Sequence, residues 1–270
     1  MIVRTLLFVP GGRADMIAKV GRSAPDVVAV DLEDAVAAAD KDSARRTAVE
    51  AVDALDAGGT VVLVRVNPPG SPWFADDVAA VASSRAAGVV LPKLERESDL
   101  GAVRAALPAG AVVLAGLETA LGVADCRTLL RSGVDAAYFG AEDYIADLGG
   151  RRTDRGDEVL YARSRVVLAA RLAGVPAIDQ AVVAVRDPDR FRSDAVQGRD
   201  LGFQGKICLH PTQVEIACEV FTPSEAEIAH ARAVVAAGAS GVGVLDGEMV
   251  DDVHLRMAGA LLERAGAAST

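Results

Sequence analysis

Eight short apolar runs alternate with stretches of helical periodicity along this chain, and that alternation most narrows the folds open to it. The runs are Val3–Val9, Val27–Leu32, Val61–Val66, Val89–Leu91, Val112–Leu117, Ala136–Phe139, Val175–Ile178 and Lys206–Leu209. Between them, helical spacing is clearest over Asp40–Leu55, Ser98–Leu107, Glu158–Leu172 and Asp187–Leu201. Short apolar runs bounded by turn residues fit strands buried on both faces. Strict alternation with helices implies right-handed crossovers and a parallel sheet. Eight such units in 270 residues predict an α/β chain folded as a closed (β/α)8 TIM barrel. An open doubly wound sheet would carry Gly-x-Gly-x-x-Gly after its first strand, whereas that turn reads Pro10-Gly11-Gly12-Arg13.

The barrel is expected over residues 1–220. Residues 221–270 then form a C-terminal helical extension that packs on the barrel or on a neighbouring subunit. Thr222-Pro223-Ser224 reads as a helix start with Glu225 and Glu227 in the first turn, Ala236–Gly243 as a Gly-rich loop, and Val253–Ala265 as a final helix.

Half of the residues are apolar, enough for a large core, and the formal charge is −10. That charge argues against a nucleic acid or an anionic membrane as partner, while leaving room for an anionic substrate held by local arginines. No apolar run approaches the roughly 18 residues of a membrane span. The first ten residues read as a strand rather than a signal peptide. Cys126, Cys208 and Cys218 form no Cys-x-x-Cys pair and are expected as reduced thiols in a cytoplasmic protein.

Parallel barrels keep their chemistry where the strands end. The first strand delivers Phe8, followed by Arg13 and Lys19. The second delivers Asp31, Glu33 and Asp34, the third Arg65 and Asn67, the fourth Lys93. Glu118 closes the fifth, Glu142 and Asp143 the sixth, Asp179 the seventh and His210 the eighth. An acid after a strand is often the N-cap of the next helix, the reading adopted for Asp31 and Asp179. His210 before Pro211 reads as a structural hydrogen-bonder, and Lys93 as either a rim ion pair or a ligand contact. Arg65, inside Leu-Val-Arg-Val-Asn, needs an anion, because an unpaired buried charge is costly. That anion is a substrate carboxylate or a structural acid such as Glu33. Glu118 and Asp143 suit a hard divalent cation such as Mg²⁺, which takes few protein carboxylates and leaves room for substrate oxygens. No His/Cys cluster has zinc spacing. Residue types alone leave a metal pair and an acid/base pair both open.

The stretches Leu-Phe-Val-Pro-Gly (7–11), Asp-Leu-Glu-Asp-Ala-Val (31–36), Val-Arg-Val-Asn (64–67), Leu-Pro-Lys (91–93), Leu-Glu-Thr-Ala (117–120), Phe-Gly-Ala-Glu-Asp (139–143), Leu-His-Pro (209–211) and Asp-Gly-Glu-Met-Val-Asp (246–251) occur in one order. In these stretches the chain resembles the HpcH/HpaI aldolase and citrate lyase β-subunit-like family of CoA-ester lyases. The resemblance implies a Mg²⁺-dependent barrel that breaks or forms a carbon–carbon bond beside a thioester. It implies Glu118 and Asp143 as metal ligands, and Arg65 as the grip on a 2-oxo acid carboxylate. Glu33 and Asp34 become the partners orienting Arg65 and water. Phe8, Arg13 and Lys19 match the positions that hold the CoA nucleotide and its phosphates, and Lys93 is expected among the substrate-binding residues. Asp251 matches an aspartate that relatives insert into the neighbouring subunit's site, which implies a homo-oligomer, expected as a trimer. Two departures stand out: Pro-Gly-Gly-Arg in the first turn, where relatives commonly have Pro-Gly-Asn-Arg-Pro, and Asp251-Asp252-Val253, where relatives place a proline two residues after the aspartate.

The expected reaction cleaves a 3-hydroxy-3-carboxyacyl thioester of the malyl or citramalyl type to a 2-oxo acid and acetyl-CoA. Arg65 fixes the carboxylate, and Asp251 or water protonates the leaving carbon. Three rivals remain at this point: a citrate lyase subunit acting on an acyl-carrier-protein thioester, a CoA-independent pyruvate aldolase, and a non-catalytic barrel. Hydrolysis of the thioester is a plausible side activity.

Overall fold

In the computed structural model, residues 2–239 and 241–268 are described. Eight strands lie in chain order: β1 (Thr5–Pro10), β2 (Val27–Asp31), β3 (Val61–Arg65), β4 (Gly88–Leu91), β5 (Val112–Leu117), β6 (Ala136–Phe139), β7 (Ala177–Asp179) and β8 (Gly205–Cys208). Each pairs in parallel with its sequence neighbours, and β1 pairs with β8 to close the barrel. The helices are α1 (Ala14–Ile17), α2 (Lys41–Ala54), α3 (Phe74–Ala82), α4 (Glu97–Ala106), α5 (Ala120–Leu129), α6 (Ala141–Asp147), α7 (Asp157–Ala173), α8 (Pro188–Leu201) and α9 (Pro211–Phe221). The expected (β/α)8 barrel is therefore the one observed, and seven of the eight predicted runs overlap their strands by at least three residues. The Val175–Ile178 run is displaced, since β7 starts only at Ala177.

Period-two alternation sorts the strand residues into two layers. Leu6, Ala29, Leu63, Val90, Leu114, Tyr138, Ile178 and Ile207 pack together inside the barrel. Their neighbours, such as Val28, Val64, Val89, Val113 and Phe139, pack outward against helical residues including Ala44, Val103 and Val166. The residues that continue the inward row at the C-terminal rim are polar: Asp31, Arg65 and Glu118.

The tail holds α10 (Glu225–Ala237), a hairpin of β9 (Gly243–Leu245) and β10 (Glu248–Val250), and α11 (Asp252–Ala268). Ser224 caps α10 in a reciprocal capping box with Glu227, as the Thr-Pro-Ser signal predicts. The hairpin is a correction to a tail read as loop and helix. Its turn, Asp246-Gly247, has φ of +51° and +86°, the left-handed pair that an Asp-Gly hairpin turn uses. Val250, Val234, Ala231 and Ala258 form a small core separate from the barrel's. Among the described residues, no helix is long and apolar enough to cross a membrane.

Candidate active site

Parallel pairing places the strand ends side by side. Pro10, Asp31 and Arg65 are register partners on β1, β2 and β3, so the Asp31 carboxylate meets the Arg65 guanidinium across neighbouring strands. Two parallel bonds of 2.7 Å join Nε to Oδ1 and Nη2 to Oδ2. Arg65 Nη1 also lies 3.0 Å from Glu33, and Nη2 lies 3.4 Å from Asp34. Burial alone would depress the guanidinium pKa, but Asp31's hydrogen bonds and charge outweigh it and hold Arg65 well above its usual value. Asp31 is more than the cap it was expected to be. It accepts from the Glu33 and Ala35 N–H groups and also orients the arginine, a role assigned from sequence to Glu33 and Asp34. The structural-acid reading of Arg65's partner is thus met within the fold.

Glu118 follows β5 directly and is 2% exposed. The Lys93 backbone N–H donates to its Oε1 at 2.8 Å. The Tyr138 hydroxyl lies 3.0 Å from both oxygens, placing it beneath the carboxylate inside the barrel. Two glycines make the space. A Cβ on Gly116 would stand 2.5 Å from the Tyr138 hydroxyl, and one on Gly140 would collide with the Glu118 carboxylate and stand 2.5 Å from its Cβ. Burial pushes the Glu118 carboxyl above its usual range; Arg65 and Lys93 pull it back only in part, and Asp143 adds to the rise. Burial likewise lifts Glu33 to about 7 against the pull of Arg65. Glu33 Oε2 is a buried oxygen with no hydrogen-bond donor, since Arg65 is near it without alignment.

Asp143 sits in the first turn of α6, half exposed. The Lys93 ammonium spans the acids, 2.6 Å from Glu33 and 3.3 Å from Asp143. Its rim ion-pair reading therefore holds. Lys41, unassigned from sequence, is buried at the start of α2. Its ammonium binds the carbonyls of Leu32 and Glu33 at 2.7 and 2.6 Å, fixing the loop that carries Glu33.

Phe8, Asp31, Asp34, Arg65, Glu118 and Asp143 line one cavity of about 480 Å³, together with Tyr138, Gly140 and an apolar wall of Ala181, Val183, Ile207 and Leu209. Phe8 stacks under Arg65, its ring centroid 4.8 Å from the guanidinium carbon. Arg13 and Lys19 do not line it; both are exposed, and Arg13 pairs with Asp15. Asp251 does not line it either. It caps α11, accepting from the Val253 N–H and meeting His254 Nδ1 at 2.7 Å. Asp179 is no helix cap: it is fully buried and bound by Arg163 and Lys206, while α8 is capped by Asp187. His210 caps α9, as expected of a structural residue.

Does this donor set fit a divalent ion? No group of three or more His, Cys, Asp or Glu among the described residues could enclose a metal. Glu118 and Asp143 instead present oxygens on a shared open cavity. That suits Mg²⁺, which commonly takes one or two carboxylates and fills its octahedron with water and substrate oxygens. Signals for the missed residues existed: a tyrosine in the apolar run Ala-Ala-Tyr-Phe needs a partner for its hydroxyl when buried.

Known proteins resemble this chain along nearly its whole length. The family model for HpcH/HpaI aldolase/citrate lyase matches residues 4–211. A citrate lyase subunit beta-like protein of Deinococcus radiodurans is 49% identical, covering 97% of this chain and 96% of its own. A (3S)-malyl-CoA thioesterase of Cereibacter sphaeroides is 35% identical over 98% of this chain and 95% of its own. The crystal structure of CitE from Mycobacterium tuberculosis, in complex with magnesium, acetoacetate and coenzyme A, superposes with a TM-score of 0.86 at 33% identity, covering 98% of both chains.

Proposed function

The chain belongs to the HpcH/HpaI aldolase/citrate lyase family, and from that premise we propose that it is a Mg²⁺-dependent carbon–carbon lyase cleaving 3-hydroxy-3-carboxyacyl-CoA thioesters of the malyl or citramalyl type. The products are a 2-oxo acid and acetyl-CoA, and the reverse condensation uses the same groups. The observation that carries this reading is the shared cavity of Glu118, Asp143 and Arg65, with Glu118 fully buried and clamped from beneath by Tyr138. The metal-bound relative with coenzyme A supports it.

Glu118 and Asp143 would hold the ion, whose chemistry is that of a Lewis acid lowering the pKa of the substrate hydroxyl. Arg65 would bind the substrate carboxylate on its cavity side. Asp31 holds the guanidinium from behind, so the arginine needs no reorganisation on binding. As the hydroxyl gives its proton to solvent water in the open cavity, its oxygen becomes the carbonyl of the 2-oxo acid and the carbon–carbon bond breaks. Its electron pair passes to the α-carbon of the thioester, which must then take a proton. We assign that donation to Asp251 of a second copy, because within one chain Asp251 lies outside the cavity. Phe8, Arg13 and Lys19 are the proposed CoA contacts, with Glu33, Asp34 and Lys93 supporting the metal and arginine. In this reading residues 221–270 are an extension of a barrel spanning 1–220. Ala260, Glu263 and Arg264 of α11 share a groove with Ile2, Val3 and Arg4, at the N-terminal foot of β1. Val244, Met249 and Met257 remain 59–70% exposed, in keeping with a homotrimer whose tails pack on neighbours. The free cysteines suit a reducing cytoplasm.

The test is to incubate the protein with Mg²⁺ and a panel of malyl, methylmalyl, citramalyl and citryl thioesters, on CoA and on acyl-carrier protein, and to identify products by mass. Acetyl-CoA with a 2-oxo acid supports the lyase. Turnover of carrier-protein thioesters alone would move the reading to a citrate lyase subunit, and no turnover, or turnover indifferent to a chelator, would sink it. Free CoA with an intact hydroxy acid would instead match the activity named for the Cereibacter relative.

A further inference from the structure

Lys93 is one of three described non-glycine residues with positive φ, at +48°. An L-residue is strained there, and such strain persists only where its surroundings hold it. The twist after Leu91-Pro92 lets a single residue touch three acids. Its backbone N–H reaches Glu118 Oε1 at 2.8 Å, while its ammonium lies 2.6 Å from Glu33 Oε1 and 3.3 Å from Asp143 Oδ1. The two ammonium contacts differ. Glu33 is 4% exposed and accepts an aligned hydrogen bond. Asp143 is 37% exposed and is met by charge alone.

We propose that the Lys93 ammonium is the tethered counter-cation of the metal cradle, bridging Glu33 and Asp143 in the metal-free protein and yielding Asp143 to the divalent ion while keeping Glu33. Asp31, Glu33, Asp34, Glu118 and Asp143 crowd around Arg65 and Lys93, so the cradle is acid-rich even with both cations present. Without Lys93 the acids repel one another and the loops that carry them must absorb the strain. With Lys93, a divalent ion must compete for Asp143 against a charge that cannot diffuse away. The lysine thereby preorganises the site at the cost of affinity and keeps the ion exchangeable.

The inference rests on Glu118 and Asp143 being the metal pair, and the experiment separates the two. Mg²⁺ is titrated calorimetrically into the metal-free full chain, with melting temperatures recorded with and without Mg²⁺. Lys93→Met keeps the backbone N–H to Glu118 and removes the competitor. It should bind Mg²⁺ about tenfold more tightly, melt lower without metal, and gain more from Mg²⁺ than the parent. Lys93→Arg keeps the charge in a fork that can hold both acids, so it should bind Mg²⁺ equally or more weakly. Unchanged or weaker binding by folded Lys93→Met, or tighter binding by Lys93→Arg, overturns the proposal. The second variant decides alone if the first fails to fold. Glu118→Gln should abolish the Mg²⁺ heat. If it does not, the metal pair is wrong and this inference falls with it; if it does and the lysine variants leave affinity unmoved, this inference alone falls.

Discussion

Two ionic clusters lie at strand ends on this barrel, and they differ in how their charges balance. Around β7 and β8, Asp179 binds Arg163 at 3.0 and 2.6 Å and Lys206 at 3.0 Å; Lys206 also binds Asp194 at 2.5 Å, and Gln180 donates to Asp194. Two acids face two cations there, and cations pull Asp194 below its usual range despite its burial. Around β2 to β6, five carboxylates face Arg65 and Lys93, with the Lys41 ammonium behind the loop of Asp31, Glu33 and Asp34, so acids still outnumber cations. Burial there wins, lifting Glu33 to about 7 and raising Glu118. A balanced cluster is complete as folded. An acid-rich one that opens on a cavity has surplus negative charge and room for an added cation, and that contrast distinguishes the two clusters where burial alone would not.

The largest effect should come from breaking the balanced cluster. Asp179→Ala leaves Arg163 and Lys206 buried without their shared anion, and unfolding in denaturant should show a loss of about 3–5 kcal/mol. Any residual folded protein should retain its Mg²⁺ affinity. A loss of metal binding at unchanged stability would erase the distinction between the clusters.

Glu118→Gln should do the reverse. The amide oxygen can still accept from Tyr138 and from the Lys93 N–H, and a buried carboxylate is neutralised, so the melting temperature should not fall. Turnover should drop by about 10³, the scale of a lost Lewis-acid contribution of several kcal/mol. A destabilised but active variant would assign Glu118 to structure.

Arg65→Lys is expected to be milder, because a point charge remains while the fork to Asp31 is lost. Two charge-assisted hydrogen bonds at stake suggest a fall in kcat/KM of about 10²-fold. It should appear mainly in KM if Arg65 grips a carboxylate held equally in ground and transition states. Unaltered KM for every thioester in the panel would remove substrate binding from its role.

How far the sequence foretold these clusters follows from which signals are local. The alternation of runs and helices is a local pattern, and it yielded the barrel and the rim that gathers Glu118, Asp143 and Arg65. Asp31's second role is hidden in the sequence because capping and cross-strand pairing both use a carboxylate after a strand, and only register shows that Arg65 stands opposite. Asp179, which caps no helix, is hidden likewise, since its partners lie 16 and 27 residues away. Tyr138 carries no assignment from sequence because its apolar run reads only as buried strand. The tail hairpin was missed although Asp246-Gly247 announces it, as the flanking strands are only three residues each.

The smallest expected effect probes the balance through pH. The Asp194 carboxylate is burdened by burial, yet Lys206 and Arg163 hold its folded-state pKa below the usual value. An acid depressed on folding contributes stability that is complete above its unfolded pKa, about 3.9, and is lost as pH falls through the lower folded value. Asp194→Asn lacks that contribution. The stability gap between parent and variant, read from denaturant unfolding at steps between pH 7 and pH 3, should therefore be widest near neutrality and narrow below about pH 4. Carboxylates titrating elsewhere act on both proteins alike and cancel in the difference. A gap that stays constant on acidification would mean that Asp194 gains nothing from its charge in the fold. The β7–β8 cluster would then be held by hydrogen bonding and shape rather than by the balance that sets it apart from the acid-rich site.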